Sequence, residues 1–171
     1  MLERLLFRYS GRLPCRLIQI EDRPYLERYY IGKYFGWTFY LHRFVSGDAE
    51  RNVHDHPWRL SLSFILRGQY EEERLRWLCP DSGWVSYTRQ CCWYKPNLIR
   101  GDTFHRITAP KPETWTLFIH GKRVKGWGFL SRPSDGNGTL YQQPYDMEVT
   151  RNWHQHAPLG CEINRIALPP A

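Results

Sequence analysis

The stretch Val53-His54-Asp55-His56-Pro57-Trp58-Arg59-Leu60-Ser61-Leu62-Ser63-Phe64-Ile65-Leu66-Arg67-Gly68 decides how the chain reads. His54 and His56 flank Asp55, and side chains on a strand alternate with period two, so both imidazoles point the same way, ~6 to 7 Å apart. A metal bonded to each nitrogen at about 2.0 to 2.1 Å fits between them. The run from Leu60 to Leu66, apolar but for two serines, reads as a strand, and Gly68 can turn the chain back. A third ligand must then come from elsewhere. His105 lies 49 residues beyond His56, in Gly101-Asp102-Thr103-Phe104-His105-Arg106-Ile107, a turn leading into a strand.

Outward from that stretch, the chain is built of short runs rich in Ile, Val, Tyr, Phe, Trp and Thr, punctuated by Gly, Pro, Asp and Asn, the pattern of an all-β sandwich or barrel. The strands read from it are 16–20, 37–45, 60–66, 68–75, 84–87, 98–100, 105–107, 115–120 and 126–130. Asp81-Ser82-Gly83 and Ala109-Pro110-Lys111-Pro112 read as turns, and residues 133–138 as a loop closing the β region. Leu2, Leu5, Leu6 and Tyr9 share one helical face before Ser10-Gly11, which predicts a short N-terminal helix. Residues 139–171 show no period and are expected to form an irregular tail over the β-body.

At 171 residues, with 42% hydrophobic and 16% aromatic residues, the chain is long and apolar enough for one domain with its own core, and disorder is excluded as the main state. No apolar run approaches the ~20 residues of a membrane span. Glu3, Arg4 and Arg8 interrupt the N-terminal leucines, so no signal peptide is read and a cytoplasmic setting is expected. The five cysteines are an odd number with no pair two residues apart, and they read as free thiols. A net charge of +7 points to an anionic partner, but the basic residues are scattered. Nucleic acid is therefore disfavoured as a partner.

The residues now quoted resemble the cupins, small β-barrels whose first motif is Gly, His-x-His, three or four residues, Glu, six residues, Gly. His54, His56 and Gly68 match it, and Ser61 falls at the position of the Glu. The second motif, Pro-x-Gly-x-x-His followed by Asn, is matched loosely by Gly101 and His105, with one extra residue between them, Ile99 for Pro and Ala109 for Asn. The resemblance covers about residues 53–119. It implies a double-stranded β-helix (jelly-roll) barrel at about residues 34–130 within a single domain of residues 1–171, residues 131–171 forming the tail. It also implies one divalent metal on His54, His56 and His105, as in the three-histidine thiol dioxygenases, with Fe(II) favoured and Zn, Ni, Mn or Cu admitted. Cupins commonly dimerise through sheet edges, so a homodimer is implied as well.

Other residues are candidates for shaping the pocket. On the strand 114–120, His120 shares a face with Thr114, Thr116 and Phe118, and it is either a general acid or base near the metal or a strand-end histidine bonded to a loop. Ser61 and Ser63 either line the cavity or fill a solvated face. Arg43 either forks onto a substrate carboxylate or lies at the surface. Tyr70 is expected to point inward, ahead of Glu72. The second His-x-His, His154-Gln155-His156, has no flanking strand and reads as a solvent-facing pair. The leading expectation is a mononuclear Fe(II) oxygenase or dioxygenase acting on a small anionic molecule. The alternatives are a metal-dependent isomerase or lyase and a non-catalytic ligand-binding barrel.

Overall fold

Helix α1 (Leu2–Ser10) forms where it is expected but not on the face its spacing predicts: it docks through Leu6 and Phe7 while Leu2, Leu5 and Tyr9 stay exposed. The computed structural model describes residues 1–20, 22–46, 53–79, 83–108, 110–111, 113–131, 141–145, 152–163 and 165. After α1 come twelve strands: β1 (Cys15–Ile20), β2 (Arg23–Tyr34), β3 (Trp37–Phe44), β4 (Val53–His54), β5 (Leu60–Arg67), β6 (Tyr70–Cys79), β7 (Gly83–Cys91), β8 (Asn97–Arg100), β9 (His105–Ile107), β10 (Thr114–His120), β11 (Trp127–Ser131) and β12 (Tyr141–Tyr145). They make two antiparallel six-stranded sheets, ordered β1-β2-β3-β10-β5-β8 and β12-β11-β4-β9-β6-β7. No helix among the described residues is long and apolar enough to cross a membrane.

The all-β reading holds, with three strands added. The largest omission is β2, twelve residues long. Its sequence does not alternate, because Tyr25, Leu26, Glu27 and Tyr29 are all buried and a bulge interrupts its pairing with β3 between Tyr30 and Gly32. The first sheet therefore begins at Cys15. Within the tail, β12 pairs with β11, and a 3₁₀ turn spans Trp153–Gln155. Residues 81, 82, 109, 112 and 133–138, where turns and a loop were expected, lie outside the described residues.

The registers of the first sheet sort its side chains into two faces. Tyr30, Tyr40, Phe118, Ser63 and Asn97 form one inward rung, and Arg28, His42, Thr116 and Ile65 form the next. The opposite face of the same strands is also covered. There Glu27, Arg43 and Trp115 lie side by side beneath α1, with the Arg43 guanidinium 5.0 Å from the Phe7 ring. Arg43 is wholly buried, forks onto Glu113 at 2.6 and 2.8 Å, and reaches Glu27 at 3.1 Å. Tyr29 donates to Glu27 at 2.6 Å. This corrects the expectation that Arg43 faces a substrate: one step of strand parity puts it on the far side of the sheet, in an ion-paired cluster.

Two glycines read from the motifs have steric reasons to be glycine. Gly68 has φ +80°, and an added Cβ would lie 2.4 Å from Thr114 Oγ1. At Gly101 a Cβ would meet the Trp58 carbonyl oxygen at 2.6 Å. The two close approaches lie at opposite ends of β5, Gly68 just past Arg67 and Gly101 beside Leu60.

Candidate metal centre

The spacing predicts that His54 and His56 share a strand, but β4 ends at His54, and His56 lies in the segment beyond it. Asp55, buried between them, points the other way and fixes that segment. Its Oδ1 accepts the Gly128 N–H at 2.8 Å, its Oδ2 meets the Lys125 ammonium, and its own N–H donates to the Gly128 carbonyl at 2.9 Å. The result still brings the imidazoles together, with ring centroids 5.4 Å apart. His105 sits directly opposite His54 in the β4–β9 register. All three histidines are buried, and their ligand nitrogens lie within 4.8 Å of one another. No carboxylate joins this group among the described residues.

Glu72, absent from the sequence-derived site, completes the arrangement. It is wholly buried on β6, and its Oε1 accepts a hydrogen bond from His105 Nδ1 at 2.6 Å. That bond fixes the tautomer: with Nδ1 carrying the proton, Nε2 of neutral His105 presents a lone pair to the shared centre. The other Glu72 oxygen receives Arg74 Nε at 3.0 Å and Arg89 Nε at 3.2 Å. Burial alone would raise the Glu72 carboxyl, but the hydrogen bond from His105, with the Arg74 guanidinium, outweighs it and holds the group at about 2. Tyr70 and Glu72 both face inward.

The donor set fits a divalent metal. His56 Nε2 and His105 Nε2 are 2.7 Å apart. Two nitrogens at about 2.0 to 2.1 Å from an ion would be separated by ~2.9 Å at a right angle and ~3.4 Å at a tetrahedral angle, so the pair lies nearer the former. Three imidazoles fill only part of such a coordination shell.

Beside the histidines is a cavity of about 70 Å³ walled by His42, Ser63, Tyr70, Thr116, Phe118 and Trp127, among others. At ~10 to 15 Å³ per water position it holds on the order of five waters, which bounds a ligand to a few heavy atoms. Tyr70 donates to Ser63 Oγ at 3.4 Å and receives Asn97 Nδ2 at 3.0 Å. His42, also missed from sequence, accepts Arg28 Nε at 3.2 Å. Burial, with the charges of Arg28 and His120, keeps it well below its ordinary pKa. Its shared parity with Tyr40 and Phe44 was the available signal.

Two expected residues stand elsewhere. Ser61 is wholly buried on the inward face of β5 but does not line the cavity. His120 is likewise outside it. Its ring stacks on Trp58 at 3.8 Å, and Trp58 stacks on His56 at 5.4 Å, so an indole lies between His120 and the ligand group. Its Nδ1 donates to the Gly121 carbonyl at 2.9 Å. Burial, outweighing that bond, and the charges of Arg28 and Lys33 lower its pKa to about 4. In the tail, His154 stacks on Tyr30 at 3.7 Å and His156 is exposed.

No protein-family model matches the sequence, and no curated protein matches it. Solved structures do match in shape. Streptomyces albus HEPD, with its substrate 2-hydroxyethylphosphonate and Fe(II) bound, superposes with a TM-score of 0.51 at 10% identity, over 66% of this chain and 24% of that one. A variant of Bacillus subtilis oxalate decarboxylase gives 0.48 at 13% identity, over 67% and 28%. Rru_A2000 from Rhodospirillum rubrum, a cupin-2 domain, gives 0.49 at 13% identity, over 72% and 78%. The chain thus spans about a quarter of the length of the first two. At these identities the likeness speaks for the fold, and the fold is that of a cupin.

Proposed function

We propose that this cupin-fold chain is a metal-dependent enzyme in which His54, His56 and His105 hold one divalent cation, Fe(II) being favoured, and that it carries out an oxygen-dependent reaction on a small anionic molecule. The observation that carries the reading is the convergence of three buried imidazoles beside an open cavity, one of them oriented by a buried carboxylate. A structural zinc wants four closed ligands, and only three are gathered here among the described residues. When bound, the metal supplies Lewis acidity and, if it is iron, a place for oxygen activation.

The chain's own residues then bind and orient. Arg28, held against His42, brings positive charge to the cavity wall for an anionic substrate group. The Tyr70 and Ser63 hydroxyls offer hydrogen bonds to it, while Phe118 and Trp127 exclude water. The Streptomyces albus protein carries Fe(II) and a small phosphonate on the same fold, which is compatible with this reading. The alternatives are a metal-dependent isomerase or lyase and a non-catalytic ligand-binding cupin.

The test is elemental analysis of tag-free protein purified anaerobically, as wild type, His54→Ala and His154→Ala. About one equivalent of iron, lost in the first variant and kept in the second, is expected. Oxygen uptake on screening small phosphonates and carboxylates separates oxygenase from isomerase. Protein that holds no metal and takes none up on reconstitution would refute the reading.

A further inference from the structure

At the mouth of the barrel lies a second cavity, of about 260 Å³, into which four cations from separate parts of the chain converge: Arg16 on β1, Arg28 and Lys33 on β2, and Arg123 before β11. No carboxylate lines it among the described residues. Two of the cations, Arg16 and Arg28, are direct cross-strand partners. Like charges placed opposite each other cost a sheet stability. Arg28 donates to His42, and its guanidinium lies 5.6 Å from the Tyr40 ring.

The remaining walls are mostly aromatic rings, with Thr38, Pro57 and Asn152 among them. Trp153, on the 3₁₀ turn of the tail, stacks on Tyr40 at 6.2 Å, and His154 beside it stacks on Tyr30. The tail thereby roofs a chamber whose floor is Trp58 and His120. Arg16, Lys33 and Arg123, with no carboxylate among the described lining residues, beside a set of aromatic rings define a ligand chemistry. We propose that this mouth chamber is a binding site for an organic anion, a carboxylate or phosphate group on an aromatic body, and that it binds without need of the metal.

The site lies beyond the three-histidine group and shares only Arg28 and Trp127 with the inner cavity. It therefore stands or falls separately from the metalloenzyme reading. The full chain, stripped of metal, is titrated with phenyl phosphate, benzoate, inorganic phosphate and, as an uncharged control, benzyl alcohol. Calorimetry and the fluorescence of Trp58 and Trp153 report binding. Phenyl phosphate or benzoate should bind, with affinity falling as salt rises.

Arg16 and Lys33 are exposed, so the double variant Arg16→Ala/Lys33→Ala removes two charges with little risk to the fold, and it should weaken binding by about tenfold. Arg123→Gln should weaken it too, and His54→Ala should leave it unchanged. Inorganic phosphate should bind more weakly than phenyl phosphate. The proposal is overturned by no anion binding below about 10 mM, by benzyl alcohol binding as well as benzoate, by inorganic phosphate matching phenyl phosphate, or by a double variant indistinguishable from wild type.

Discussion

Replacing Glu72 by Gln keeps the side chain's length and removes its charge, which isolates what the carboxylate does for His105. The hydrogen bond at 2.6 Å lies inside the protein, so solvent does not screen it. Outer partners of metal-binding histidines typically contribute 10- to 100-fold in metal affinity, or ~1.4 to 2.8 kcal/mol. Here Arg74 and Arg89 already draw on the same carboxylate, which lessens the charge His105 feels and places the effect nearer the tenfold end. Glu72→Gln should therefore weaken Fe(II) and Zn(II) binding about tenfold. The assay is anaerobic competition against a chromophoric chelator at neutral pH, with near-UV circular dichroism confirming the fold. The variant should also lose on the order of 1 to 3 kcal/mol of stability, since two charged hydrogen bonds are weakened. A folded variant whose affinity for both metals stays within about twofold of wild type would refute the orienting role.

Two further expectations concern residues away from the ligands. Arg43→Met should cost about 3 to 5 kcal/mol in urea unfolding, because it strands the Glu27 and Glu113 carboxylates, while metal stoichiometry stays at the wild-type value; loss of metal in the folded variant would contradict its placement beneath α1. His120, held at about 4 against its ordinary 6.5, binds fewer protons folded than unfolded between those values, so the native state loses stability as pH falls from about 6.5 to 4. His120→Gln should recover about 2 kcal/mol of the loss between pH 7 and pH 5; thermal melts at both pH values showing the same loss as wild type would exclude it as a source.

The histidine group was legible because its signal is a spacing, and spacing survives in sequence: His54, His56, Gly68 and His105 declare themselves without knowledge of the sheets. Glu72 did not. It sits in Glu71-Glu72-Glu73-Arg74, which reads as a solvated charge run until β7 supplies Arg89 and β9 supplies His105. Arg43 misled for the opposite reason. On a strand wet on one face, a charged residue is either at the surface or in the site, but β3 is covered on both sides and offers a third place. β2 escaped because burial on two faces removes the alternation by which a strand is recognised.

That double covering of β3 makes it a wall with two insides. Tyr40 to Phe44 are five consecutive buried residues, with His42 belonging to the inner cavity and Arg43 to the ion-paired cluster under the helix. Each is one peptide from the other, so a loosened α1 reaches the histidine side through a single strand thickness. β7 is its opposite, with Val85 to Thr88 all exposed. A spectroscopic label or affinity handle placed between Val85 and Thr88 would go unnoticed by either interior, whereas the same change on β3 would be felt in both.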